Sequence, residues 1–218
     1  MKKDTRAMTT VQAKTKDTIL RTAERLFAEQ GFETTLRDIT TEAKVNIALV
    51  NYHFGSKAKL LRTVLQDIIV PVKKCQMERL VVLESGTSAP TLEQLLDAFL
   101  VPIMDLLQYP NERGVIVAHL FARAMVDSTK EVQEMIIGWV ESTEKRYIEA
   151  FKRALPLLSE DEIWWRFTSM FGAFIVQQSG LLITIRTRGG CVLDKETEYQ
   201  RMKVFLLAGF QAPATTDC

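Results

Sequence analysis

The sequence predicts an all-α protein: an N-terminal three-helix helix-turn-helix head followed by a larger helical body. Three observations predict it. Apolar residues recur at three- and four-residue intervals through most of the chain, the period of an amphipathic helix, and no persistent period-two alternation competes. Hydroxyl and acidic residues stand where helices should begin, and glycine or proline where they should stop. Charge also divides along the chain: residues 1–62 carry 12 Lys/Arg against 7 Asp/Glu, and the remainder carries 16 against 20. A basic head on an acidic body suits a module that binds a polyanion.

About nine helices are expected, taken in order. Ile19, Leu20, Ala23, Leu26 and Phe27 form the apolar stripe of the first, which Gly31 stops. Thr34 or Thr35 caps a short second helix carrying Leu36, Ile39 and Ala43. A third covers residues 45–52, with Ala48 and Leu49 spaced to pack inward. The turn Phe54-Gly55-Ser56-Lys57 leads into a long fourth helix reaching about residue 83, with Pro71 expected to kink or break it. Residues 84–90 form the clearest linker. A fifth helix opens at Thr91 and contains Pro102; a sixth covers about 112–126. Ser128 to Glu131 reads as a capping box for the seventh, which Pro156 stops near Leu155. Ser159 repeats the signature ahead of an unusually apolar eighth helix, about 163–185. Residues 186–193 read as a loop, and a last helix covers about 194–210. The division expected is a flexible arm at 1–14, the head at 15–60, the body at 61–211 and a flexible tail at 212–218.

Composition excludes several classes. At 47% hydrophobic and 25% charged residues, the chain of 218 has an ordinary globular balance. No run approaches ~20 apolar residues, so no membrane span is expected. The polar N-terminus lacks the apolar stretch of a signal peptide. Three widely spaced cysteines, Cys75, Cys191 and Cys218, fit neither a disulfide framework nor a zinc cluster and suit a reducing cytoplasm. No metal site and no cofactor is called for. A helical enzyme is a poor fit, because there is no Gly-rich phosphate loop and only two histidines.

The head carries the chemistry. In a helix-turn-helix the second helix crosses the phosphate backbone and the third enters the major groove. Asn46, Asn51, Tyr52 and His53 lie on or beside the third helix, while Thr34, Thr35 and Lys57 lie at helix starts, where N–H groups suit phosphate oxygens. Asn51 offers paired hydrogen bonds to an adenine edge, and Ile47 or Ala48 an apolar contact to a thymine methyl. Arg37 reads either as a phosphate contact or as one arm of a surface ion pair. Tyr52 and Phe54 have a second reading as core aromatics.

The runs from Thr18-Ile19-Leu20 through Leu26-Phe27-Ala28-Glu29-Gln30-Gly31-Phe32, then Thr35-Leu36-Arg37-Asp38-Ile39, then Val45-Asn46-Ile47-Ala48-Leu49-Val50-Asn51-Tyr52-His53-Phe54-Gly55-Ser56-Lys57, resemble the signature of TetR/AcrR-type repressors. The resemblance implies an all-helical homodimer that binds a palindromic double-stranded operator and releases it when a small-molecule effector, of unknown identity, enters the C-terminal domain. It places Thr34, Thr35, Asn51, Tyr52, His53 and Lys57 at positions that commonly contact phosphates, and Asn46, Ile47 and Ala48 at positions that face bases. Two residues depart from the pattern. Lys44 stands where a glycine often makes the tight turn, and Asn51 replaces a frequent tyrosine.

In the body the resemblance implies a central cavity, for which Met104, His119, Arg123 and Trp139 are the candidate lining residues. Methionines and aromatics there have an ordinary reading as core, whereas a buried histidine or arginine must find a partner. Trp165, Met170, Phe174 and Leu181 make the eighth helix apolar on more than one face, so it is expected to be buried on both sides. The resemblance implies that this helix and the last one, through Phe205, pair with their copies in a four-helix dimer interface; burial within one subunit is the other reading. Control by cysteine redox chemistry or by a partner protein remains an alternative to a small-molecule effector.

Overall fold

The computed structural model describes residues 2–107, 112–126, 129–178 and 194–214. Within them nine helices follow in order: α1 (Lys2–Gln30), α2 (Leu36–Ala43), α3 (Ile47–Phe54), α4 (Lys57–Glu84), α5 (Leu92–Leu107), α6 (Glu112–Val126), α7 (Lys130–Ala154), α8 (Glu160–Gln178) and α9 (Lys195–Gln211). There is no strand among the described residues. None of the described helices is long and apolar enough to cross a membrane.

Each head helix buries one stripe. Ile19, Leu20, Ala23, Leu26 and Phe27 of α1 close over Ile39 of α2 and Val50 and Phe54 of α3, and Leu60, Leu61 and Val64 at the start of α4 complete the core. The caps are those that the local sequence supports. Thr35, not Thr34, opens α2 with a reciprocal capping box: its hydroxyl accepts from Asp38 N at 3.2 Å, and its own N–H donates to the Asp38 carboxylate at 2.9 Å. Asn46 opens α3 by accepting from Ala48 N at 2.9 Å, so that helix starts two residues later than its apolar residues suggest. Ser56 opens α4 by accepting from Lys59 N.

The body wraps α4, α5, α7 and α8 around a cluster of rings. Phe99 of α5 meets Tyr147 of α7 and Phe167 of α8 edge-on, both at 4.9 Å between centroids, a geometry aromatic quadrupoles favour. α6 lies between body and head: it packs on α5, α7 and α8 and extensively along α1. α9 packs on α5 and α8.

Several expectations change. Residues 2–14, read as a flexible arm, continue α1 as helix. Pro71 neither ends nor divides α4, which runs through it to Glu84. Thr129 is the residue preceding α7 and makes no side-chain capping bond to it; Ser128 lies outside the described residues. Ser159 does cap, accepting from Glu162 N at 3.2 Å. The end expected for the eighth helix, near residue 185, lies outside the described residues.

Candidate nucleic-acid interface and ligand cavity

α3 has two unlike faces. Val50 and Phe54 are buried in the head, whereas Asn46, Ile47, Ala48, Leu49, Asn51 and Tyr52 are exposed, Tyr52 by 71%. An eight-residue helix that leaves isoleucine, leucine and tyrosine in water while capped at its N-terminus presents a surface built for a partner. Leu49, expected to pack inward with Ala48, points outward with it. Asn46 lends its side-chain oxygen to the helix cap, leaving its amide N–H₂ as the group available beyond the helix.

Around this helix the basic residues are left open. Arg37 on α2 is exposed and enters no ion pair among the described residues. Lys57, the first residue of α4, is half-buried beside the Ser56 cap. Lys16 reaches back from α1 with its ammonium 5.9 Å from the centroid of the Phe54 ring. By contrast Arg25 on the neighbouring face of α1 is spent on Glu29 and Glu42.

Two predicted phosphate contacts are placed differently. Thr34 is buried, and its hydroxyl donates to Gly31 O at 2.7 Å. It closes the α1–α2 turn and has no free group for a phosphate. His53 is half-buried, its ring edge-on to Tyr52 and Phe54, and its Nε2 is sealed from solvent without a hydrogen-bond partner among the described residues.

The turns that hold the head differ in chemistry. Gly31 takes φ +94°, and a Cβ there would meet the Arg123 guanidinium at 2.6 Å. Between α2 and α3, Lys44 takes φ 55°, the one described non-glycine residue with positive φ. Its N–H bonds the Thr40 and Thr41 carbonyls, and Val45 N donates to Thr40 O at 3.0 Å. A lysine in this conformation costs roughly 1–2 kcal/mol against a right-handed one.

The body contains an apolar cavity of about 40 Å³. Ile68, Ile69 and Val72 of α4, Phe99, Ile103 and Leu106 of α5, Phe121 and Met125 of α6 and Phe171 of α8 supply its apolar wall, with Lys73, Gln76 and Thr143 as the polar members. Gln76 is buried and donates to Phe99 O at 2.8 Å. Burial pulls the Lys73 ammonium below its ordinary pKa, against the opposing pull of Glu144, whose carboxyl burial pushes up.

Three of the four residues expected to line this cavity, Met104, His119 and Arg123, do not. Val115, His119 and Arg123 recur every four residues on the exposed face of α6, opposite Phe121 and Met125. His119 therefore faces solvent, and Arg123 faces the Gly31 turn. Met104 is buried in the core without lining the cavity. The Trp139 side chain lies outside the described residues. Gln76 had a sequence signal, since it continues the Ile68, Val72, Leu80 spacing of the buried face of α4. Cys75, half-buried, lines an open groove on α4 and α5 and not the cavity.

A second unpredicted cluster ties head to body. Glu24 of α1 is buried at a core position of its helix, held by Arg21 and by Arg113 Nε of α6 at 3.1 Å. Arg113 also reaches Asp67 of α4 at 3.3 Å, and Arg21 shares that carboxylate.

The dimer residues divide. Met170 and Phe174 are buried within the subunit, at 1% and 2% exposure, as members of its hydrophobic core; their reading as interface residues is corrected. Trp165 and Phe205 are 68% and 65% exposed. Leu181 lies outside the described residues.

A head that exposes a capped recognition helix, joined to a helical body with an internal cavity, defines a helix-turn-helix regulator. Residues 19–64 match the family of bacterial regulatory proteins of the TetR type, and residues 97–209 match the tetracyclin repressor-like C-terminal domain. The chain belongs to the TetR family. The HTH-type transcriptional regulator YttP of Bacillus subtilis is 26% identical over 120 residues, 55% of each chain. The HTH-type transcriptional repressor Rv3405c of Mycobacterium tuberculosis is 36% identical over 95 residues, 43% of this chain and 47% of its own. The matched segment thus spans about half the length of these relatives. The fold is shared with NalD of Pseudomonas aeruginosa, the secondary repressor of the MexAB-OprM multidrug efflux pump, with a TM-score of 0.56 at 21% identity over 91% of this chain and 97% of that one.

Proposed function

We propose that the protein is a cytoplasmic transcriptional repressor that binds a near-palindromic operator as a dimer and is released by a small molecule held in the body. The observation that carries the reading is the outward face of α3, where Asn46, Ile47, Ala48, Asn51 and Tyr52 stand free of the core. Side chains of these types read base edges and methyl groups in a major groove, while Thr35, Arg37 and Lys57 flank them as backbone contacts. Two such heads, ~34–36 Å apart, would take adjacent major grooves on one side of the duplex.

The cavity supports the effector half of the reading. At about 40 Å³ it is far smaller than the ~300–1,000 Å³ of a ligand site, so occupancy must part its walls. Those walls include α4 and α6, the helices that meet the head at Asp67 and Arg113. A ligand that favours the parted state shifts the heads by its differential affinity for that state.

The test is selection of binding sites from random duplexes, followed by titration of the selected and an unrelated duplex. Asn51→Ala and Ile47→Ala are expected to narrow the difference between the two DNAs, and Lys57→Ala to weaken both alike. Affinity should fall steeply with salt. Equal loss on both duplexes from every substitution, or salt-independent binding, would overturn the assignment.

A further inference from the structure

We infer that Lys44 is a phosphate-contacting residue of this head, placed by a left-handed turn beside the entrance of the recognition helix. The inference rests on the DNA-binding reading above and deepens it.

Three observations converge. Lys44 is exposed, and its ammonium enters no ion pair or hydrogen bond among the described residues. It holds φ 55°, a conformation that glycine or asparagine adopts with less strain. It also follows two exposed polar residues. Arg37 and Thr41 stand four residues apart on the exposed side of α2, and Lys44 is the exposed residue that ends that helix. The other acidic and basic residues of that region point elsewhere: Glu42 pairs with Arg25, and Asp38 is held in the Thr35 cap. Between Lys44 and Asn46, where the base-reading helix begins, stands only Val45, half-buried against the core.

The placement has a chemical consequence. A cation two residues before the Asn46 cap stands close in sequence to the N-terminal end of α3, whose dipole favours an anion. A long, flexible ammonium there makes a point contact with a backbone phosphate without reading sequence. Arg37 at one end of α2 and Lys44 at the other then fix the tilt of α3 in the groove.

The experiment uses the full chain carrying Lys44→Gly, Lys44→Asn or Lys44→Arg, titrated with a selected operator duplex and with a random duplex over a range of salt. Circular dichroism confirms that each variant is folded. Lys44→Gly and Lys44→Asn are expected to weaken binding to both duplexes by roughly threefold to tenfold, and to flatten the slope of log K against log salt by about 0.9 per head. Lys44→Arg should keep the wild-type slope. Wild-type affinity and slope in the Gly and Asn variants would overturn the inference while leaving the DNA-binding reading intact. Absence of salt-dependent binding by the wild type would overturn both.

Discussion

The carboxylate of Asp38 shows how much a single side chain can set. Both the hydroxyl and the N–H of Thr35 donate to it, and these bonds, the hydroxyl first, hold its pKa below the usual carboxylate range. A group whose folded pKa is depressed contributes stability above its unfolded value, and that contribution disappears as pH falls through the folded value. Thermal melts between about pH 6 and pH 2 should therefore show Asp38→Asn less stable than wild type at the upper end, with the gap closing as pH drops below the ordinary carboxylate value of about 3.9. Thr35→Ala should lower stability by about 1 kcal/mol at neutral pH through loss of the same cap. A gap that widens on acidification would count against the cap as its source. Part of this local chemistry is legible in the sequence: Thr35 and Ser56 stand at expected helix starts, whereas Asn46, expected within or beside the third helix, caps it, each acceptor reaching an N–H two or three residues on. Thr34 was not separable from Thr35 by residue type. Only the turn at Gly31 turns one hydroxyl inward and leaves the other at the helix start.

At the scale of the element, periodicity located the helices but could not say which neighbour each face meets. The exposed four-residue stripe of α6 reads in sequence as well for a pocket as for solvent, and burial of Phe121 and Met125 decides it. One clue was present and unread. Glu24 lies between Leu20 and Phe27 on the buried stripe of α1, and a carboxylate at a core position demands cationic partners from elsewhere. Those partners are Arg21 and Arg113, and Arg113 comes from α6. Arg113→Met should leave Glu24 with Arg21 alone and destabilise the protein by on the order of 2 kcal/mol, measured by urea unfolding. Glu24→Gln in the Arg113→Met background should recover part of that loss, because the orphaned charge is gone. Additive losses in the double variant would argue that the pair is not the coupling between α1 and α6.

At the scale of the whole molecule, one surface has the character of an unfinished core. Trp165 on α8 stands exposed, as do Val204 and Phe205 on α9. Gly172 and Gly209 on the same two helices have open space where a Cβ would lie, which permits close approach of another helix. Arg166 fixes these helices to one another. Buried between them, it donates to the Gly209, Phe210, Ala212 and Pro213 carbonyls and pairs with Glu162 at 2.7 Å. It thereby satisfies the carbonyls that the end of α9 leaves without partners. The proposed face carries apolar anchors, and a second copy would cover it through the same residues, as two-fold symmetry requires. The apolar excess of the eighth helix is legible in the sequence but not its division, because Met170 and Phe174 enter the core of their own subunit. A dimer formed through this face would hang on the residues that remain outside. Phe205→Glu, and Trp165→Glu independently, should leave the helical fold intact by circular dichroism while converting the protein to a monomer in sedimentation, since each removes an apolar anchor and buries a charge against its own copy. The same variants should bind a full operator no more tightly than a half-site, as one head loses the effective concentration supplied by the other. A Phe205→Glu protein that sediments as a dimer and still prefers the full operator would move the interface away from α8 and α9.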